Sequence, residues 1–512
     1  MPDNKSQAHD KQVLHKLGYA QELSRRMSGF SNFAISFSII CILAGGISAF
    51  PAAFNALGSG GAFMIWLVGG VLALSVAFGM GQIASSFPTA GGLYHWSSHL
   101  GGKAWGWATA WFNLVGLICV VSSVDVLLYT VFFKDLLLGA ELGVDVSAFG
   151  YWHQFAFVTV ILISQAALNH YGIGITTKLT DLSGYLILAL TVILIVALFA
   201  FSPVALDISR LWTFKNFTGD AGGAVVPFRT ESVAFAFLLG LSYVCYTITG
   251  FDASAHTSEE TQDAQVNVPK GMWTAVFWSW IFGLVAVAAY VLTMPSIDEA
   301  GAAGWGSFNY MWAASRMPGW LSLFLAAGMV VVNYICALAG LTSTSRMMYA
   351  FARDGGLPGS ASLSNVSTTY RTPTYAIWVS AALALLSTVY APYYLVLAVA
   401  CAVFLYISMV MPIAAGLLAE GGPKWKEKGP FNLGGLSKPN AVLAIIFGIT
   451  LAISGFFPPN EKVFYFTIGL IVVLPIVWYG FERNRFEGVP EGDKIQERQK
   501  MIADIEKKYG EN

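Results

Sequence analysis

Glycines interrupt two long apolar segments of the chain, and both interruptions are suited to binding a small solute. The first segment, 39–61, carries Ala-Gly-Gly at 44–46 followed by Pro51, and the second carries Thr-Gly at 249–250. In lipid, a backbone that stops being helical leaves N–H and C=O groups unpaired, which is tolerable only where protein, water or a bound solute supplies partners. We therefore expect two broken membrane helices whose breaks form a solute site.

A carboxylate lies directly after the second break. A carboxylate near membrane depth costs several kcal/mol unless it is paired or hydrated, so Asp252 is a candidate for coupling transport to an ion. Alternatively, it caps the half-helix that starts at Ala253 by accepting from backbone N–H groups. The following Glu259 and Glu260 are expected in a solvated loop.

The composition excludes several classes of protein. Of the 512 residues, 56% are hydrophobic and 11% are charged, whereas soluble domains have about 25% charged residues. A net charge of −1 argues against nucleic acid as a partner, since phosphate recognition needs a basic face. The five cysteines lie in apolar runs without metal-ligand spacing, so we expect buried thiols. No H-E-x-x-H or G-x-S-x-G motif occurs, so we expect no enzyme and no cofactor.

Apolar runs of about 20 residues can cross the hydrocarbon core of a bilayer, and the chain contains twelve candidates. They are 30–56, 62–87, 104–132, 154–171, 179–201, 232–256, 272–294, 319–350, 374–391, 393–419, 440–457 and 462–482. With the N-terminus in the cytoplasm, 22 of the 28 Lys and Arg residues lie on the cytoplasmic side. Cytoplasmic segments retain positive charge, so we expect both termini to be cytoplasmic.

The two breaks lie five spans apart, which is typical of transporters built from inverted repeats. The segments expected on this basis are a cytoplasmic tail, 1–29; the first repeat, 30–201; an outer loop, 202–231; the second repeat, 232–419; a cytoplasmic loop, 420–439; two peripheral spans, 440–482; and a cytoplasmic tail, 483–512.

Four sequence motifs resemble one superfamily. They are A-G-G with Pro51 beyond it, F-P-T-A-G-G-L-Y-H-W at 87–96, T-G-F-D at 249–252, and S-R-M-M-Y-A-F-A-R-D-G-G-L-P at 345–358. Over about residues 28–420 the chain resembles the amino acid–polyamine–organocation superfamily of secondary transporters. Within it, the resemblance is to the amino acid/choline permeases that include γ-aminobutyrate permeases.

The resemblance implies an all-α membrane protein with the fold of the leucine transporter. Twelve transmembrane helices would form a 5+5 inverted repeat with discontinuous helices 1 and 6. Spans 1, 2, 6 and 7 would rock against a scaffold of spans 3, 4, 8 and 9. The implied function is transport of an amino acid or related amine across the plasma membrane by alternating access.

The chemistry of the two breaks suits an amino acid zwitterion. Freed N–H groups at the first break, with the positive end of a half-helix dipole behind them, suit a carboxylate. Freed carbonyls at the second break suit an ammonium group. Phe251, directly after it, is either a gate or a packing residue. The predicted substrate-binding residues are Ala44, Gly45, Gly46, Thr247, Ile248, Thr249, Gly250 and Phe251.

For a transporter of this kind, the expected coupling ion is Na⁺ or H⁺. In sodium-coupled relatives of the fold, a carbonyl on span 8 and two hydroxyls three and four residues later bind Na⁺ together with span 1 carbonyls. That spacing maps onto Ala339, Thr342 and Ser343, with Ile39 and Ile42 as span 1 partners. Residues three and four apart share a helical face. Alternatively, such hydroxyls simply bond their own backbone or pack against small residues.

Proton coupling is the other possibility. Amino acid transporters of this superfamily often place a lysine inside span 5, but 183–190 contains none, and Lys178 lies near the cytoplasmic end. A proton can instead use Asp252. Further alternatives are an exchanger without ion coupling and a nutrient sensor of the same fold that does not transport. The expected partners are an amino acid or amine and membrane lipid.

Overall fold

Long apolar stretches satisfy their backbone hydrogen bonds by folding as helices, because a bilayer supplies no water as an alternative partner. The computed structural model describes residues 4–219, 225–390, 394–457 and 460–509, and no β-strand occurs among them. The helices are α1, Asn4–Lys16; α2, Gly29–Ile40; α3, Ala44–Ser86; α4, Leu93–Gly101; α5, Lys103–Leu127; α6, Tyr151–His170; α7, Ile173–Ala200; α8, Val233–Thr247; α9, Ala253–His256; α10, Ala264–Thr293; α11, Ile297–Ala302; α12, Ser307–Ala314; α13, Gly319–Arg353; α14, Ser360–Leu363; α15, Thr374–Tyr390; α16, Tyr394–Ala419; α17, Ser437–Ser454; α18, Glu461–Val477; α19, Arg483–Arg485; and α20, Asp493–Lys507.

Nine helical stretches of the described chain are long and apolar enough to cross a membrane. They are Gly29–Ser86, Lys103–Glu141, Tyr151–His170, Ile173–Ala200, Ala264–Thr293, Gly319–Arg353, Leu395–Ala419, Gly434–Ser454 and Lys462–Arg485. The apolar helices α8 and α15 are shorter. The first stretch covers two of the predicted spans, which follow each other without a loop. They are separated by a kink in α3, where Leu57 (φ −143°) and Gly58 (φ 71°) leave helical geometry.

The helices pack in two groups. In one group α3 lies along α8 and α10, and α10 also contacts α2; in the other, α13 and α15 pack on α5 and on α6. Glycine permits the closest approaches in the first group, as expected for membrane helices. A Cβ at Gly70 would lie 1.8 Å from Trp280 Cδ1, and one at Gly283 would lie 2.0 Å from Trp66 Cζ2. All five cysteines are free and buried, which confirms the sequence prediction.

One end of the bundle, which we call the loop face, carries the connecting residues 201–219, 225–232 and 294–318. The backbone of the first connection is bonded to the kink in α3, with Lys215 N–H donating to Leu57 O at 3.0 Å. The ring of Phe217 stacks on that of Phe54, with centroids 5.8 Å apart. In the second connection, Phe308 packs edge-on against Tyr290 at 5.3 Å. Aromatic contacts therefore close this face.

The opposite end, which we call the terminal face, carries both ends of the chain. Helices α1 and α20 meet there, where Lys11 Nζ lies 2.7 Å from Glu506 Oε2. The hydroxyls of Tyr19 and Tyr94 both donate to Asp354, at 2.8 and 3.1 Å. Burial, together with the Asp354 carboxylate, raises the pKa of both tyrosines well above its ordinary value. Polar and charged contacts therefore close this face.

Candidate functional site

The first helix break lies at 41–43, slightly earlier than the sequence predicts. Helix α2 ends at Ile40, and Cys41 adopts left-handed geometry (φ 32°, ψ 77°) before α3 begins at Ala44. A non-glycine residue in this region costs of order 1–3 kcal/mol and persists only where its surroundings hold it. The prediction that residues 44–46 themselves form the break is wrong, because all three are helical.

Because the break lies at 41–43, the free backbone N–H donors differ from those predicted. The N–H groups of Gly45 and Gly46 donate to Cys41 O and Ile42 O, both at 3.0 Å. The N–H groups of Ile42, Leu43 and Ala44 have no acceptor in the described part of the chain. Of the three predicted carboxylate donors, only Ala44 is therefore free. The donor set at the start of α3 is 42–44, where the helix dipole is positive.

The glycine pair has a different role from the one that we predicted. A Cβ at Gly45 would lie 2.7 Å from Thr247 Cγ2 and 3.0 Å from Thr247 Cα, so only glycine allows α3 to approach α8 this closely. A Cβ at Gly46 would meet only Trp66, at an ordinary 3.7 Å. Gly45 is thus required for the contact between the two broken helices, and Gly46 is not.

The second break separates α8 from α9 and lies where the sequence predicts it. Helix α8 ends at Thr247, Gly250 has φ 79°, and α9 begins at Ala253. The Ile248 carbonyl accepts from Tyr406 OH at 2.9 Å, and the Gly250 carbonyl accepts from the Ala253 N–H at 3.2 Å. Two of the predicted ammonium acceptors are therefore already bonded, although each carbonyl retains a second lone pair.

A small cavity lies between the two breaks. Its volume of about 20 Å³ is room for a single water molecule, so the site is closed around it. The lining residues are Ile39, Ile40, Cys41, Ala44, Gly45, Val120, Val124, Leu127, Tyr246, Thr247, Thr249, Cys336 and Cys401.

Four predicted substrate-binding residues line this cavity and four do not. Those lining it are Ala44, Gly45, Thr247 and Thr249; those outside it are Gly46, Ile248, Gly250 and Phe251. The hydroxyl of Thr249 is buried and has no hydrogen-bond partner among the residues that the structure describes. Sequence reasoning missed Tyr246, on the last turn of α8, whose hydroxyl lies 3.2 Å from that of Ser123. An aromatic residue beside a predicted break was the available signal for it.

Phe251 is fully buried, and its ring lies in the main apolar core. Its carbonyl accepts from Ser36 Oγ at 2.9 Å, which ties the second break to α2. These contacts agree with the packing interpretation, and its function as a gate stays a prediction.

Asp252 forms a buried cluster with a histidine that the sequence reasoning did not use. Its Oδ2 accepts from Asn113 Nδ2 at 3.0 Å and lies 3.4 Å from His256 Nε2. The Asp252 side chain makes no capping hydrogen bond to α9, so the alternative that it caps this helix is wrong. The Asp252 Oδ1 atom has no hydrogen-bond partner in the described parts of the chain, and His256 Nδ1 lies 3.1 Å from Ala90 O.

The next two acidic residues are buried, which contradicts the expectation of a solvated loop. Both carboxylate oxygens of Glu260 accept from the guanidinium of Arg346 at 3.1 Å, and neither side chain is exposed. Glu259 pairs in the same way with Arg353 at 3.0 Å. A buried charge is costly unless it is paired. Two arginines at the end of α13 therefore account for the burial of both glutamates.

The predicted sodium ligands lie on α13, α2 and the first break. Thr342 Oγ1 bonds to Asn169 Oδ1 at 2.7 Å and to the carbonyl of Leu338, one turn earlier, at 2.9 Å. Ser343 Oγ is buried and has no hydrogen-bond partner within the described ranges, and Ala339 is also buried. The carbonyl of Ile39 accepts from Cys336 Sγ on α13 at 3.2 Å, and that of Ile42 accepts from Gly46 N–H. Helix α13 therefore meets α2 and the first break where the Na⁺ site is predicted, and of its two predicted hydroxyl ligands the one on Ser343 is free among the described residues.

Comparison with known proteins identifies the family. Residues 27–481 match the amino acid permease family. The chain is 31% identical to amino-acid permease BAT1 of Arabidopsis thaliana, over 93% of this chain and 95% of that protein. It is 32% identical to the BAT1 homolog of Oryza sativa subsp. japonica, over 93% and 94%. The GABA-specific permease of Saccharomyces cerevisiae is 28% identical over 73% and 65%.

These relatives are transporters and not enzymes, and the apolar helices agree with a membrane location. The resemblance inferred from the four sequence motifs is thereby confirmed. This chain belongs to the amino acid permease family of the amino acid–polyamine–organocation superfamily and is an integral, multi-pass membrane protein of amino acid transport.

Proposed function

We propose that the protein is a secondary active transporter that takes up an amino acid or a related amine across the plasma membrane by alternating access. The observation that carries this proposal is the pair of helix breaks at 41–43 and 248–252, which face each other across a closed cavity. A closed site between two interrupted helices suits a carrier, since a channel needs an open path.

The substrate end groups follow from the backbone at the breaks. The free N–H groups of 42–44 lie at the positive end of α3 and bind the carboxylate. The second break supplies oxygen acceptors for the ammonium group, including the unpartnered hydroxyl of Thr249. A zwitterion satisfies both sets at once. The cavity must widen to admit it, which happens when the two groups of helices separate.

The proposed architecture has twelve crossings in a 5+5 inverted repeat with the leucine-transporter fold. The nine long stretches, the two shorter helices and the kink at 57–58 support this number. The group α2, α3, α8 and α10 then moves against α5, α6, α13 and α15. The excess of Lys and Arg supports a cytoplasmic terminal face. The segment boundaries are those expected from the sequence, at 30, 202, 232, 420, 440 and 483.

Transport is coupled to Na⁺ or to H⁺ in this proposal. The Na⁺ site consists of Ala339, Thr342, Ser343, Ile39 and Ile42. The free hydroxyl of Ser343 supports it, while the bonds that Thr342 makes to Asn169 and Leu338 compete with it. Asp252 is the candidate for H⁺. The named specificity of the yeast relative makes γ-aminobutyrate one solute to test.

The test is uptake by the purified protein in proteoliposomes. Labelled α-amino acids, γ-aminobutyrate and choline are each supplied with an inward gradient of Na⁺, of H⁺, or of neither. We expect saturable uptake of at least one solute and its stimulation by one of the gradients. Saturable exchange that neither gradient stimulates would replace the proposal by an exchanger without ion coupling. Absence of both uptake and exchange for every solute would refute transport of this class.

A further inference from the structure

Two ionisable side chains face each other in the buried segment just after the second break. Asp252 Oδ2 and His256 Nε2 are 3.4 Å apart, and neither side chain is exposed. Asp252 immediately precedes α9 and His256 ends it, so the two residues are four apart, a spacing that brings side chains together. Within the described residues, Asp252 Oδ1 and His256 Nε2 make no hydrogen bond, so each has capacity for a proton or a donor.

The surroundings supply few other charges. The titratable or charged side chains that the structure describes on the neighbouring elements are Lys270 and Tyr290 on α10; Tyr334, Cys336, Arg346, Tyr349 and Arg353 on α13; Tyr94, His95 and His99 on α4; Lys103, Cys119 and Asp125 on α5; Cys401 and Tyr406 on α16; and Glu259 and Glu260 after α9. Helix α2 carries none. Arg346 and Arg353 are bound to Glu260 and Glu259, and Lys270 is exposed. His256, at 3.4 Å, is the basic side chain that faces Asp252.

We propose that Asp252 and His256 together hold the proton that is co-transported with the solute. This inference rests on the proposed function, and it assigns the coupling ion. Without the co-transported proton, the pair consists of a neutral imidazole and a buried carboxylate that accepts one N–H donor, from Asn113. Such a charge is costly in a dry interior. With one proton, the pair is neutral overall, whether that proton lies on the imidazole or on the carboxyl group.

The same cluster links the two groups of helices. Asn113 lies on α5, and its amide donates both to Asp252 Oδ2, just before α9, and, at 3.2 Å, to Ser408 Oγ on α16. His256 Nδ1 contacts Ala90, in the segment that joins α3 to α4 on the terminal face. The proton enters from water on the loop face and leaves to water on the terminal face when that face opens. No bond between heavy atoms changes in either step.

The experiment separates solute exchange from proton-driven accumulation. Proteoliposomes first receive the same solute on both sides at equal pH, and exchange of label is measured. They then receive an inward proton gradient of one pH unit, which supports about tenfold accumulation at one proton per solute. The variants are Asp252→Asn and His256→Gln. Asp125→Asn is the matched control, because Asp125 is a buried carboxylate bonded to an amide, Gln165, and not to a histidine.

We expect Asp252→Asn and His256→Gln to retain exchange but to accumulate solute only to equal concentrations. The control is expected to keep both activities. Accumulation that survives in either pair variant would overturn the proposal, and so would an equal loss in Asp125→Asn. If Asp252→Asn fails to fold by size-exclusion chromatography, His256→Gln decides alone.

The wild-type protein distinguishes this inference from the function on which it rests. Exchange with accumulation driven only by Na⁺ would refute the proton pair and leave transport intact. No exchange of any solute would refute the proposed function itself. Proton entry with the solute, detected by a pH dye inside the vesicles, supports the pair when both variants abolish it.

Discussion

A matched pair of alanine substitutions tests whether close approach of the two broken helices forms the substrate site. Gly45 and Gly46 are neighbours at the start of α3, and both gain about 1 kcal/mol of helix propensity as alanine. They differ in their surroundings. The new Cβ at 45 would lie 2.7 to 3.0 Å from three atoms of Thr247, including Cα, whereas at 46 it would lie 3.7 Å from Trp66.

The expected magnitude follows from this contact. A backbone atom cannot rotate away, so α3 and α8 must separate by several tenths of an ångström in Gly45→Ala. Overpacking of this kind costs about 1–3 kcal/mol, which corresponds to about 5- to 150-fold in an equilibrium constant. The strain falls on the closed state, where the helices touch. We therefore expect weaker solute binding, a higher KM and a lower Tm for Gly45→Ala.

The assay measures uptake in proteoliposomes with the solute that the wild-type protein transports fastest, together with thermal unfolding. Gly46→Ala should match the wild type in both, because its Cβ makes an ordinary contact outside the cavity. Wild-type KM for Gly45→Ala would refute the argument. A loss in Gly46→Ala as large as that in Gly45→Ala would also refute it, since it would restore the role first predicted for the pair.

Two further predictions concern charges. Glu260→Gln leaves the Arg346 charge buried and unpaired, so the free energy of unfolding should fall by about 3–5 kcal/mol. Thermal unfolding measures this change. The control is Glu487→Gln at an exposed position, which should change the free energy of unfolding by less than about 1 kcal/mol. Burial raises the pKa of the Glu506 carboxyl, but its hydrogen bonds to Lys11, Gln21 and His15 of the N-terminal tail outweigh burial. The pKa is therefore lowered overall from its ordinary value of 4.5. That carboxylate therefore stabilises docking of α20 above about pH 4.5 and loses this effect as the pH falls. At pH 7, Glu506→Gln should lose about 1 kcal/mol of docking free energy and therefore speed amide hydrogen exchange in α20 by about fivefold. At pH 3 the variant and the wild type should exchange at the same rate. Equal exchange rates of the two proteins at pH 7 would contradict this stabilising effect of the carboxylate.

The family and the presence of two breaks could be predicted because their signals are local. Glycine inside an apolar run, and motifs such as T-G-F-D, are visible in the sequence itself. The position of the first break was not visible. It depends on Cys41, a residue with no intrinsic preference for left-handed geometry, while the glycines that marked the segment serve the contact with Thr247.

The acidic residues after the second break show a different limit. Glu259 and Glu260 look like a solvated pair because nothing nearby in the sequence neutralises them. Their partners Arg353 and Arg346 lie about ninety residues away and approach them only in the folded chain. His256 was overlooked for a related reason, since its importance comes from its 3.4 Å distance to Asp252 and not from any motif.

The two closed faces differ in what must happen when each one opens. On the loop face, aromatic rings such as Phe54 and Phe217 must separate and expose apolar surface to water, which costs free energy in proportion to the exposed area. On the terminal face, opening replaces ion pairs by hydration, so the balance there depends on the protonation of buried groups. Asp252 is the last residue of the second break, and His256, on α9, contacts the segment that joins α3 to α4 on the terminal face. A proton leaving this pair therefore acts on the face whose closure depends most on charge.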